Sequence, residues 1–435
     1  MAAPNTMTHP TSDKATHRLR LNPEELLSSF LAVRSCTSSL VAPLTAEDMM
    51  VQSLPEASPA KWHLAHTSWF YESFVLSPFV DGYRVYDPDF RWLFNSYYQS
   101  FSAFPDKQLR ASFSRPSLEQ IAAYRSHVEQ AIAEHPAHIL QRPEAADRLL
   151  LGMHHEQQHQ ELILTDILHA FASNPLHPSY LRMEQLATAA TSAPEFRTYA
   201  GGLVETGAGD GFSFDLERPR HRVWLEPFRL ANRLITHQEY VAFIEDGGYQ
   251  RPELWLSDGW HHVQQQGWTA PLYWRREDGI WKVMTLRGEW PLETLASRPV
   301  CHVSYYEADA FARWMGMRLP TEAEWEHVAG SLPVEGNLLE RRTFLPEAAD
   351  TSAMAQLFGD CWEWTASAYL PYPGFQPLGG TLGEYNGKFM SGKMVLRGGS
   401  MATPASHIRA SYRNFFVPET RWQFSGIRLA ESVAR

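Results

Sequence analysis

The sequence predicts an α+β fold in two domains: an N-terminal four-helix bundle over residues 22–175 and a larger, irregular α+β domain over 197–435. Three observations lead there. The chain has 435 residues, more than one hydrophobic core usually fills. Four segments in its first half carry helix signals. Beyond residues 176–196, a stretch rich in Ser, Pro, Ala and Thr that reads as a linker, the texture changes to short β-prone runs between Gly and Pro turns.

Taken in order, Asn22-Pro23-Glu24-Glu25 supplies a cap residue, a proline in the first turn and two acids at a helix N-terminus. The first helical segment extends from there to about Ser53. The second runs from about Pro59 to Ser77, and Pro78 is expected to end it. Residues 80–115 hold few helix signals and predict a long structured loop. Ser117, with Glu119 in the first turn, opens a third helix to about Glu134, and a fourth spans roughly Pro143 to Ala172. Four such segments with one long connection predict a four-helix bundle. In the second half, His221-Arg222-Val223-Trp224-Leu225 typifies the β-prone runs, and 236–246 and 305–315 are helix-like.

A formal net charge of −11 disfavours nucleic acid and anionic membranes as partners, because both select basic surfaces. No apolar run approaches the roughly eighteen residues that span a bilayer. Residues 1–21 are polar, lack the apolar stretch of a secretory signal and read as a disordered tail. Cys36, Cys301 and Cys361 are too few and too scattered for a disulfide framework, so a reducing, cytoplasmic location is expected. Aromatic residues crowd the second half, where they suit either a core or the wall of a small-molecule site.

The chemistry-bearing pattern is His154-His155-Glu156-Gln157-Gln158-His159 in the fourth helix. His155 and His159 are four apart, so they share one helix face and can bind one ion. Leu151 and Leu162 continue that face, which turns both imidazoles inward. On the second helix Trp62, His66, Trp69 and Ser73 also share a face, making His66 the natural third ligand. Three neutral imidazoles leave coordination positions open for substrate and dioxygen at iron. His63 and His154 read as core histidines. The same residues match H-E-x-x-H, in which Glu156 would be the general base of a zinc hydrolase. That reading leaves the second half of the chain without a purpose.

The second half contains Arg318-Leu319-Pro320-Thr321-Glu322-Ala323-Glu324-Trp325-Glu326, Gly359-Asp360-Cys361-Trp362-Glu363-Trp364-Thr365, Arg397-Gly398-Gly399-Ser400 and Ser425-Gly426-Ile427-Arg428-Leu429. Together these resemble the formylglycine-generating-enzyme family, whose fold is related to the C-type lectins. The Glu-Trp-Glu and Trp-Glu-Trp phrases read as a structural signature of that fold and not as catalytic groups. The cysteine pair that such enzymes carry after Arg-Gly-Gly-Ser is missing from residues 401–409, so formylglycine formation is not expected.

With Leu64-Ala65-His66 and the fourth-helix histidines, the whole chain from about residue 24 resembles the ergothioneine-type sulfoxide synthases, which join a DinB-like bundle to such a domain. The resemblance implies Fe(II) held by His66, His155 and His159, and dioxygen-dependent bond formation at C2 of the imidazole of hercynine (Nα-trimethylhistidine). It implies that Gln158 contacts hercynine, and that Asn414, Phe415 and Phe416 belong to a loop closing over it. Tyr97 and Tyr98 match a tyrosine pair in one branch of the family, where a phenol supplies a proton during dioxygen reduction. A trimethylammonium group also favours aromatic faces, for which Phe415, Phe416 and Trp422 are candidates.

One segment departs from the family pattern. Ergothioneine-forming members carry an arginine-rich stretch after the tyrosine pair that holds the carboxylate of cysteine or γ-glutamylcysteine. Here Ser102 to Arg110 reads Ser-Ala-Phe-Pro-Asp-Lys-Gln-Leu-Arg. Loss of one charge-assisted clamp, worth about 1.5–3 kcal/mol, weakens an amino-acid thiol by roughly ten- to a hundred-fold. Phe104, Asp106 and Gln108 suit a hydroxyl-rich donor better, and with Arg110, placed there by position alone, they make up the expected donor pocket. This pattern resembles the selenoneine synthase branch, which joins hercynine to the selenium of a selenosugar. A cysteine-type thiol donor is the alternative, and a metal-free lectin-like binding module is the alternative of another class.

Overall fold

The computed structural model describes residues 22–190, 192–349 and 353–433; the tail expected over 1–21 lies outside them. Helices dominate up to residue 173 and strands begin at residue 196, so the expected α+β architecture holds. Helix α1 (Pro23–Val41) starts with a capping box between Asn22 and Glu25. It stops about a dozen residues short of Ser53, because Pro43 has no N–H to continue the ladder, and only a 3₁₀ turn at Asp48–Met50 follows. Helix α2 (Ala60–Tyr71) is buried along its whole length, so its polar side chains need internal partners.

After α2 the helical path widens into a π turn (Glu72–Leu76) and a last α turn (Ser77–Phe79). Pro78 therefore sits inside the final turn, the helical path ends at Phe79, two residues later than expected, and Val80 is extended. Helix α3 (Leu118–Glu134) is capped by Ser117 with Gln120. Helix α4 (Pro143–Ser173) is the long one, and α1 and α2 both pack against it. Among the described residues no helix is long and apolar enough to cross a membrane.

The second half is built around a four-stranded sheet of β1 (Trp362–Ala368), β2 (Met394–Arg397), β3 (Asn414–Phe416) and β4 (Ser425–Gly426). Its spatial order is β3-β2-β1-β4, antiparallel except for the β1–β4 pair. Helices at His237–Glu245 and Tyr305–Trp314 match the two helix-like stretches, and Glu322–Ala329 forms another.

The signature phrases are structural, as expected. Trp325 Nε1 donates to Glu363 at 2.8 Å, and Glu363 pairs with fully buried Arg428 at 2.7 Å. Arg397 pairs with both Glu322 and Glu326 at 2.9 Å. A buried charge needs such partners, so these pairs fix how the loops close.

The sheet is tied to α4 through one carboxylate. Glu161 accepts from Trp362 Nε1 at 2.7 Å, Ser400 Oγ at 2.5 Å and Thr403 Oγ1 at 2.8 Å. Each donor comes from the second half of the chain, and Glu161 lies two residues beyond His159, so the histidine helix is held against that sheet.

Candidate metal centre

His66 on α2 and His155 and His159 on α4 are all buried, and one nitrogen from each lies within 4.8 Å of the others. Nε2 of His155 is 3.2 Å from Nε2 of His66 and 3.1 Å from Nε2 of His159. Two ligands at right angles around an ion with bonds of about 2.1 Å stand about 3 Å apart. His155 therefore stands at ligand spacing from both His66 and His159.

The outer nitrogens decide what these imidazoles present. Nδ1–H of His66 donates to the Phe94 carbonyl at 2.6 Å, which leaves a lone pair on Nε2. Asp166 can only accept, so His63 donates to it from Nε2 at 3.1 Å and accepts at Nδ1. Nδ1–H of His159 then donates to His63 at 2.7 Å, and its Nε2 is again free. Asp166 also accepts from the Ser58 backbone N–H at 2.8 Å, which fixes the carboxylate. Such outer partners are the usual support of histidine ligands.

Burial, reinforced by the neighbouring imidazoles, lowers His66 and His159 well below the ordinary histidine range, and burial lowers His155 to about 3. All three are thus neutral, the ligating form. Nε2 of His66 and Nε2 of His159 each turn a lone pair towards Nε2 of His155 at 3.1–3.2 Å, and His155 Nδ1 has no hydrogen-bond partner among the described residues. The donor set therefore fits a divalent transition metal, and three imidazoles with open positions fit Fe(II).

Two indoles hold His66, with ring centroids 4.5 Å away for Trp62 and 5.2 Å for Trp69, both nearly parallel. Tyr98 packs on Trp69 at 5.9 Å and stacks on Tyr97 at 4.6 Å. The buried Tyr98 hydroxyl has no hydrogen-bond partner among the described residues. Burial raises both phenols above their ordinary range, so both keep their protons. Tyr385, from the second half, lies 5.7 Å from His155, ring to ring. It donates to Oε1 of Gln158, while Nε2 of Gln158 donates to the Tyr412 hydroxyl at 2.7 Å.

The remaining candidates are less concentrated. Phe415 stacks on Tyr369 at 4.0 Å and reaches the tyrosine pair through Phe389, which is 6.2 Å from Phe415 and 5.6 Å from Tyr97. Asn414 accepts from the Phe415 N–H, and Phe416 packs with Trp422 at 6.0 Å, a step further out. Asp106 and Gln108 are exposed, with Asp106 accepting the Gln108 N–H as cap of a 3₁₀ turn, and Phe104 is half-buried. Arg110 is buried, its guanidinium 3.5 Å over the Trp62 ring and donating to Ser58 Oγ at 2.8 Å and Ser96 Oγ at 3.1 Å.

The zinc-hydrolase reading of Glu156 is corrected by its surroundings. Glu156 follows His155, so it points about 80° away from the centre of the face that His155 and His159 share. There it accepts from Arg34 at 3.0 Å, Arg125 at 3.3 Å and Thr37 at 2.7 Å. Burial would raise its carboxyl, but the two guanidinium groups outweigh burial and hold it below the ordinary range. It is a structural anion and not a base beside the histidines.

Sequence reasoning missed His63 and Asp166 as ligand supports and gave Tyr385 no role. Asp166 is seven residues beyond His159, two turns along the same face, and that spacing could have found it. Tyr385 arrives through tertiary contact and leaves no local signal.

Comparison with known proteins agrees with this arrangement. Residues 29–163 match the DinB superfamily model, and residues 183–344 and 343–433 match the sulfatase-modifying factor enzyme 1-like domain. The chain is 32% identical to the hercynine oxygenase of Mycobacterium tuberculosis over 95% of its own length and 100% of that protein. It is likewise 32% identical to the hercynine oxygenase of Mycolicibacterium thermoresistibile, covering 94% and 95%. The ergothioneine biosynthesis protein 1 of Schizosaccharomyces pombe is 28% identical over 51% of this chain and 28% of that protein. A DinB-type bundle joined to a sulfatase-modifying-factor-like domain, in a chain with these relatives, is a two-part oxidoreductase. The chain belongs to the hercynine oxygenase family.

Proposed function

We propose that this chain is an Fe(II)- and dioxygen-dependent enzyme that joins a chalcogen to C2 of the hercynine imidazole. The observation that carries this reading is the convergence of three neutral imidazoles, with Tyr385 against His155 and Tyr98 against Trp69, the indole stacked on His66, in a chain related throughout to hercynine oxygenases. His66, His155 and His159 would hold the metal, which supplies dioxygen activation and open coordination positions. Gln158 and the aromatic layer around Phe415 would orient hercynine, whose trimethylammonium gains about 0.5–2 kcal/mol from a ring face. Tyr98 and Tyr97 keep their protons by burial and are the groups that can hold or deliver one, whereas Tyr385 keeps its proton and commits it to Gln158.

For the donor we infer a selenosugar, 1-seleno-N-acetylglucosamine in class, and hence formation of a C–Se bond. Support comes from residues 92–109, which hold no arginine to clamp an amino-acid carboxylate. A cysteine-type thiol is the second reading, and Arg110 favours it. That cation lies against Trp62 with two hydroxyls and no ion-pair partner among the described residues, and burial pulls it down to about 9.

Anaerobic reconstitution with Fe(II), then oxygen and mass spectrometry with hercynine and each donor, separates the readings. A selenium adduct from the sugar at far higher turnover supports the first. A sulfoxide adduct from cysteine at the higher turnover removes it and leaves the second. No adduct from either donor removes both.

A further inference from the structure

Beyond the metal centre, a chain of hydrogen bonds runs from Tyr385 into the contact between α4 and the second half. We propose that Tyr412 and His407 are positioning residues that fix which way round the Gln158 amide and the Tyr385 hydroxyl are presented to bound hercynine. The proposal rests on the hercynine reading above and adds a determinant that lies outside the first layer of contacts.

Each link constrains the next. Tyr385 donates to Oε1 of Gln158, so Nε2 of Gln158 is the end that donates to Tyr412, at 2.7 Å. With its oxygen accepting there, Tyr412 sends its own proton to Nε2 of His407 at 3.1 Å. A neutral imidazole that accepts at Nε2 carries its hydrogen on Nδ1. His407 therefore donates to Nδ1 of His154 at 3.0 Å. Tyr412, His407 and His154 are all more than nine-tenths buried, so water does not compete for these bonds. The His154 ring is stacked on Phe212 at 3.9 Å, which anchors the far end.

The direction matters because an amide has one accepting and one donating end. In this direction Tyr385 gives its proton to Gln158 and keeps only acceptor positions for anything else. Gln158 retains one N–H and one carbonyl lone pair for a ligand. Reversal of any member reverses them all. The Gln158 amino group would then face Tyr385, and Tyr385 would be free to donate elsewhere. Two imidazoles and a phenol that are not themselves ligands thus determine whether Tyr385 offers a lone pair or a proton.

The test uses the full chain with Zn(II) as a diamagnetic metal for ¹⁵N-histidine NMR, and the anaerobic Fe(II) protein for hercynine calorimetry. The His407 signals, assigned by their loss in His407→Phe, should report the Nδ1–H tautomer. An Nε2–H tautomer or a charged ring overturns the proposal whether or not hercynine binds. Tyr412→Phe keeps the ring packed and removes the relay. It should make the His407 tautomer mixed and weaken hercynine about tenfold, the worth of one buried hydrogen bond. Metal content and the donor KM should stay unchanged. Unchanged hercynine affinity in Tyr412→Phe, with the wild type binding normally, also overturns it. If the wild type binds no hercynine, the function reading fails, and the His407 tautomer still decides the direction of the chain.

Discussion

Nδ1 of His63 stands 2.7 Å from Nδ1 of His159, and this contact between two imidazoles determines which nitrogen His159 turns to the metal centre. Asp166 never touches His159. It acts through His63, which passes the carboxylate's demand for a proton along as a tautomer. His63→Phe keeps a ring in place but removes the acceptor. Metal affinity should fall roughly 10–100-fold by competition titration against a chelator, whereas His66→Ala should abolish stoichiometric metal. An unchanged affinity in His63→Phe would show that His63 only fills space.

Glu156 separates a structural role from the hydrolase reading. Glu156→Gln leaves Arg34 and Arg125 buried with a weakened partner, and breaking such a pair costs about 3–5 kcal/mol. The expected outcome is a lower urea midpoint with metal stoichiometry retained. Full stability combined with loss of all activity would instead identify Glu156 as a base.

Asp360 gives a pH dependence with an unusual sign. Burial raises its carboxyl from 3.8 to about 7, against the bonds from the Glu347 N–H and Asn337. Between those values the folded state holds a proton that the unfolded state has released. This group therefore favours folding below pH 3.8, loses that contribution as pH rises, and opposes folding above 7, at about 1.4 kcal/mol per pH unit within the window. Asp360→Asn should stabilise the protein at pH 8, with the gain shrinking towards pH 4. A gain independent of pH would mean that the carboxyl does not titrate there.

Tyr98→Phe removes a buried hydroxyl that makes no hydrogen bond among the described residues. Stability should hold or rise slightly, because a desolvated polar atom is lost. If Tyr98 delivers the proton, turnover with hercynine and the preferred donor should fall at least tenfold, with metal content unchanged. Equal turnover would pass that role to Tyr97.

The bundle was legible because its signals are local. Asn22 and Ser117 act as caps where a cap residue precedes an apolar period, and four-residue spacing puts His155 and His159 on one face. The C-terminal phrases were legible as a fold signature because buried Trp–Glu–Arg networks require particular residue types. The end of α1 and the course past Pro78 were misjudged, since proline arrests one helix and is absorbed by a π turn in the other.

By itself the sequence determined the two-part architecture, the three histidines and the missing arginines after the tyrosine pair, all properties of residue type and spacing. Only the tertiary structure decided that Glu156 faces two arginines, that His63 and Asp166 set the ligand tautomer, and that Tyr385 joins the site from more than two hundred residues away. Those facts depend on which side chains meet across helices and sheet. Hydrogen-bond direction and ion pairing arise from that meeting, and no spacing along one element encodes it.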